Sequence, residues 1–118
     1  MPNARRLAAM ESGEFEIVVD ASEAGHRIAV RGDLDLATVD SLQPALDEAI
    51  STGAGTTLVL SDCTFLDSSA LKMIADAGRR ANESGTTFAV SRPSPQAARV
   101  LEISGLDKLV TIVANDYP

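Results

Sequence analysis

The chain has 118 residues, enough for one domain with a modest core but not for two. Its net charge of −7 opposes binding to nucleic-acid phosphates or anionic lipid, and three phenylalanines, one tyrosine and no tryptophan make a poor base-stacking platform. A lone cysteine, Cys63, excludes an internal disulfide, and no apolar run approaches the length of a membrane span.

Met1 to Gly13 carries Arg5 and Arg6 but no apolar core, so it does not read as a secretory signal. It is expected to be a short flexible tail, with the domain over residues 14–114 and a second tail over 115–118. The single thiol and the missing signal point to a reducing compartment, the cytoplasm.

Phe15 to Val19 and Arg27 to Arg31 are short, rich in Ile and Val, and separated by the turn-like Asp20 to Gly25, which predicts a hairpin. Gly32-Asp33-Leu34-Asp35 is expected to break the second strand. From Val39 the apolar positions Leu42, Leu46, Ala49 and Ile50 keep helical spacing. Pro44 fits that helix best in its first turn, behind Ser41 as cap.

Thr57 to Ser61 reads as a buried strand and Asp62 to Asp67 as a turn. A helix then runs from about Ser68 to Asn82, with Leu71, Ile74, Gly78 and Ala81 on one face and Lys72, Asp76, Arg79 and Glu83 on the other. Gly85 stops it. Thr86 to Ser91 is a strand. Ser94 caps a helix with Pro95 at its first position and Gly105 at its end, and Leu109 to Val113 is the last strand. Strands alternating with helices imply an α/β fold with a mixed, mostly parallel sheet and helices packed against it.

In such sheets ligands and partners gather at the carboxyl ends of the strands. The loops Gly32–Asp35 and Asp62–Ser69 both leave strands at that end. Side by side, they would bring Asp33, Asp35, Asp62 and Asp67 close to Ser68 and Ser69. A hydroxyl at a helix N-terminus can be a cap, a nucleophile or a phosphorylation site. A serine hydrolase needs a base, and His26, the only histidine, belongs to the opposite strand end. The carboxylates suit either a hard cation or turn formation, but no EF-hand or Walker spacing is present. Cys63 reads as a small buried residue. Only one of Asp67, Ser68 and Ser69 can be the N-cap, so a hydroxyl is left over for a second role.

Three segments carry a resemblance. Val30-Arg31-Gly32-Asp33-Leu34-Asp35 resembles the Gly-Glu/Asp-Leu-Asp turn of the STAS family. Asp67-Ser68-Ser69-Ala70-Leu71 resembles its Asp-Ser-Ser/Thr-Gly-Leu motif, and Ser104-Gly105-Leu106 its Ser-Gly-Leu segment. The chain resembles in particular the bacterial anti-sigma factor antagonists, over about Phe15 to Val113. That resemblance implies a single STAS domain acting by binding, not catalysis, with no metal and no cofactor. The partner it implies is an anti-sigma factor of the histidine-kinase-like ATPase type, which phosphorylates Ser69 (Ser68 is the alternative acceptor) and so ends the binding. A serine phosphatase would restore it. Freed sigma factor would then drive a stress response. The implied contact surface is Asp33, Asp35, Asp67, Ser68, Ser69, Lys72, Asp76 and Arg79, on a monomer or weak dimer that touches neither nucleic acid nor membrane. Asp35 matches the family's aspartate near the phosphoserine. Ala70 departs from the family glycine and sets a methyl group next to Ser69. The rival readings are a STAS module of a larger signalling assembly or nucleotide sensor, and an enzyme using Ser69 as nucleophile.

Overall fold

The computed structural model of the protein describes residues 5–12 and 15–114. Six strands form one sheet in the order of the sequence: β1 (Arg5–Ser12), β2 (Phe15–Ser22), β3 (Gly25–Leu34), β4 (Thr56–Leu66), β5 (Phe88–Ser91) and β6 (Thr111–Val113). β1, β2 and β3 pair antiparallel; β3, β4, β5 and β6 pair parallel. The parallel steps are bridged by α1 (Val39–Thr52), α2 (Ser68–Glu83) and α3 (Pro95–Ser104), the last followed by a 3-10 turn at Leu106–Lys108. The mixed, mostly parallel sheet matches the expectation.

Alternation sets the sheet face. Phe15, Ile17 and Val19 on β2, and Ile28 and Val30 on β3, are buried, while Glu16, Val18 and Ala29 between them are only partly so. Leu58 and Leu60 on β4 continue the core, and Leu42, Leu46 and Ile50 of α1 and Ala70, Met73, Ile74, Ala77 and Ala81 of α2 close it. α2 is therefore rotated from the face read in the sequence. Leu71 and Gly78 lie at the margin, and small residues let the helix sit close to the sheet. A Cβ on Gly78 would come within 2.8 Å of Val110 Cγ1.

Several boundaries differ from the sequence reading. The flexible tail expected over residues 1–13 is a strand over Arg5–Ser12, drawn into the sheet by pairing with β2. The tail expected over 115–118 lies outside the described residues. β3 does not break at Gly32 but continues to Leu34. Gly32 adopts φ 103°, and the β3–β4 register shifts between Gly32 and Asp33, a bulge that glycine accommodates without strain. β4 follows it to Leu66, so Asp62 to Leu66 is strand rather than turn. α1 begins at Val39 after Thr38, not behind Ser41, which places Pro44 sixth in the helix. Pro44 and Asp40, whose carbonyl lacks the Pro44 N–H, are both exposed, so water can take that place. α3 forms as read: Ser94 Oγ accepts from Ala97 N, Pro95 is the first residue, and Gly105 closes the helix at φ 80°.

Candidate functional site

The carboxyl ends of β3 and β4 are side by side, with Asp33 opposite Phe65 and Leu34 opposite Leu66. Past them the two loops are tied together. Asp67 N donates to Leu34 O at 3.3 Å, and Leu36 N donates to Asp67 Oδ2 at 3.0 Å. Asp67 Oδ1 accepts from Ala70 N at 3.1 Å, which makes Asp67 the N-cap of α2. One carboxylate thus fixes the helix start and the neighbouring loop.

Asp35 organises its own loop. Its Oδ1 accepts from Ala37 N at 3.0 Å, its N donates to Thr38 Oγ1 at 2.9 Å, and its carbonyl accepts from Thr38 N and Val39 N. The Thr38 hydroxyl in turn donates to Asp33 O at 2.8 Å. Asp33 is exposed and accepts from Thr64 Oγ1 at 2.5 Å. Asp62 is the exception: it lies lower on β4, opposite Arg31, and no hydrogen bond joins it to this cluster among the described residues. The bulge and the long β4 hold it back from the loop.

With Asp67 as cap, the two serine hydroxyls are spare. Among the described residues neither the Ser68 nor the Ser69 side chain makes a hydrogen bond. Ser68 is exposed; Ser69 is half-buried and opens onto a groove that runs along α2. Lys72, Asp76 and Arg79 follow on that side of the helix. Arg79 hydrogen-bonds Asp76 and, at 3.1 Å, Glu83; Arg80 hydrogen-bonds Asp47 of α1 at 2.8 Å and stands in an ion pair with Asp76 at 3.0 Å. The Arg79 hydrogen bond, with the charge of both arginines, holds the Asp76 carboxyl below the usual carboxylate range. The methyl of Ala70 is fully buried in the core, so it leaves the surface beside Ser69 open.

The single histidine lies far from Ser69. His26 pairs with Thr56 at the first residue of β4, while Ser69 lies beyond its last, a separation of about 30 Å at about 3.3 Å per strand residue. Cys63 is 1% exposed, and burial pushes its thiol up. Among the described residues no group of three His, Cys, Asp or Glu is arranged to hold a metal ion, and no helix is long and apolar enough to cross a membrane.

The residues that sequence reasoning missed are Thr38 and Thr64, which brace the aspartates, and Leu36 and Phe65, which stand 74% and 48% exposed beside them. The spacing Asp35-x-x-Thr38 could have shown Thr38. Nothing local marks Phe65 as exposed, because its orientation follows from the length of β4.

The family model described as Mlab, STAS domain, matches residues 17–111. The chain belongs to the STAS domain family. An anti-sigma F factor antagonist of Paenibacillus polymyxa is 34% identical over 91 residues, covering 75% of this chain and 78% of that protein. An anti-sigma factor antagonist from Mycobacterium paratuberculosis superposes with a TM-score of 0.77 at 24% identity, over 92% of each chain. The Bacillus cell fate determinant SpoIIAA, solved in a phosphorylated form, superposes with a TM-score of 0.61 at 19% identity, over 94% of this chain and 93% of that one. The fold of these antagonists is the fold of this STAS domain.

Proposed function

We propose that this protein is an anti-sigma factor antagonist switched by phosphorylation of Ser69. It binds an anti-sigma factor of the histidine-kinase-like type in the cytoplasm and thereby frees a sigma factor. The contact surface is the Asp33–Asp35 loop, the Asp67–Ser69 helix start and the Lys72, Asp76 and Arg79 side of α2. The partner then moves the γ-phosphoryl of ATP to Ser69 Oγ; the hydroxyl proton is released and ADP leaves. A serine phosphatase reverses the step by hydrolysis.

One observation carries this reading: Asp67 caps α2, and both serine hydroxyls stay uncommitted on a loop pair that is otherwise locked. A hydroxyl in that position can be modified without undoing the fold. Ser69 is favoured over Ser68 because it opens onto the α2 groove. A phosphate adds about −1.5 to −2 charges at neutral pH, next to Asp67 and across from Asp35. A partner surface complementary to a neutral hydroxyl rejects that charge, because an unpaired charge at an interface costs several kcal/mol, on the order of 2–5. The Paenibacillus polymyxa relative is itself named an antagonist of an anti-sigma factor, and SpoIIAA exists in a phosphorylated form.

The test is an affinity pull-down from host lysate with wild type, Ser69→Ala and Ser69→Glu as baits, read by mass spectrometry. A histidine-kinase-like protein held by the first two and lost by the third supports the proposal. Equal retention on all three removes Ser69 as the control point.

A further inference from the structure

Lys72 lies three residues past Ser69 on α2, and both side chains line the same groove. Residues at that spacing have Cβ atoms about 5–6 Å apart, well within the reach of a lysine stem. Among the described residues Lys72 is in no ion pair. The other cations of α2 are committed: Arg79 to Asp76 and Glu83, Arg80 to Asp76 and Asp47. Asp76, the carboxylate four residues after Lys72 and its nearest partner by spacing, is already shared by both arginines. The Ser69 end of the groove therefore holds one exposed, uncommitted ammonium group.

We propose that Lys72 is the intramolecular counter-ion of a phosphate carried by Ser69, drawing that phosphate down along α2 and over the groove. The proposal rests on the reading of Ser69 as the acceptor and specifies how the modified state is held. The Lys72 ammonium donates to a phosphate oxygen in a charge-assisted hydrogen bond. Arg79, the other cation lining the groove, is held by Asp76 and Glu83, and the nearby carboxylates act against Lys72. Asp67 caps α2 two residues before Ser69 and is bonded to the Asp35 loop through Leu36 N, Asp76 lies one turn beyond Lys72, and Asp40 is in the first turn of α1; Val39 and Gln43, the α1 residues that line the groove, are uncharged. The carboxylates raise the second pKa of the phosphate and Lys72 lowers it. The phosphate lies over the groove instead of projecting outward, so one modification changes both the charge and the shape presented to a partner.

The experiment needs no kinase and no partner. Phosphoserine is installed at position 69 during expression, and the phosphate is titrated by phosphorus NMR at low salt in otherwise wild-type protein, Lys72→Gln, Lys72→Arg and Arg99→Gln. Arg99 lies on α3, outside the groove, and controls for net charge. Lys72→Gln is expected to raise the phosphate pKa by about half a unit, the size of an exposed ion pair, and about 1 M salt should shrink that difference. Lys72→Arg should keep the wild-type value and Arg99→Gln should leave it nearly unchanged. Equal pKa values in wild type and Lys72→Gln, or equal rises in Lys72→Gln and Arg99→Gln, would overturn the proposal. Either of those results leaves Ser69 as a switch to be judged on partner affinity, which this titration does not measure.

Discussion

Asp67 and Leu36 are joined across the two loops by a 3.0 Å hydrogen bond from the Leu36 N–H to Asp67 Oδ2, while Oδ1 of the same carboxylate caps α2 through Ala70 N. The helix start and the Asp35 loop thus share one anchor. Their relative position, and with it the place of Ser69, is set by a group that is not itself modified.

Removal of that anchor should be felt in stability. Asp67→Ala loses a cap and an interloop bond and leaves two N–H groups to water, an expected cost of about 1–2 kcal/mol. Asp67→Asn retains one acceptor oxygen and should lose about half as much. Urea titrations read both as a shift in midpoint with an unchanged slope. A wild-type midpoint for Asp67→Ala would show that the carboxylate does not organise this end of the fold.

The close approach of α2 to Val110 predicts an exception to a common rule. Glycine to alanine inside a helix normally stabilises by about 1 kcal/mol. At Gly78 the new methyl would meet Val110 Cγ1 at 2.8 Å, and a β-branched side chain has little freedom to retreat. Gly78→Ala is expected to destabilise by about 1 kcal/mol. In the Val110→Ala background the same change should become neutral or stabilising. Additive effects in that double-mutant cycle would contradict the packing described.

Much of this arrangement is legible in the sequence, for identifiable reasons. α3 is bounded by local chemistry at both ends, Ser94-Pro95 and Gly105, so its limits could be read directly. The pairing of the two acidic loops follows from adjacent parallel strands. β1 was not legible, because Arg5–Ser12 lacks the β-branched residues that mark a strand and forms one through its neighbour β2. The extension of β4 to Leu66 was hidden for a similar reason. Asp62, Cys63 and Thr64 read as turn residues, but the bulge at Gly32 keeps β3 beside them and supplies their hydrogen bonds. That tertiary effect brought Asp33 to Thr64 and left Asp62 away from the serines.

The Asp76 ion pairs carry a pH signature. The folded-state carboxyl lies below its unfolded value, chiefly through the Arg79 hydrogen bond. Its contribution is therefore complete above the unfolded pKa of about 3.9 and is lost as pH falls through the folded value. Asp76→Asn should lower stability at pH 7 by a few tenths of a kcal/mol, since the pair is exposed and screened. The gap between variant and wild type should close in strong acid. A gap that stays constant from pH 7 to pH 2 would mean the carboxylate charge is not involved.

Cys63 should behave as an inert core residue. It is 1% exposed and burial raises its thiol pKa, so little thiolate forms near neutral pH. Reaction with a water-soluble disulfide reagent should be slow in the folded protein and rapid once urea unfolds it. Fast labelling of the native protein would contradict the burial.

A phosphate on Ser69 is proposed to control partner binding. The most direct measurement is the dissociation constant of a purified histidine-kinase-like anti-sigma factor from the same cell, determined for this protein unmodified and with phosphoserine at position 69. Phosphorylation is expected to weaken binding at least about 30-fold, corresponding to about 2 kcal/mol of unpaired interfacial charge. Equal dissociation constants for the two forms would contradict it.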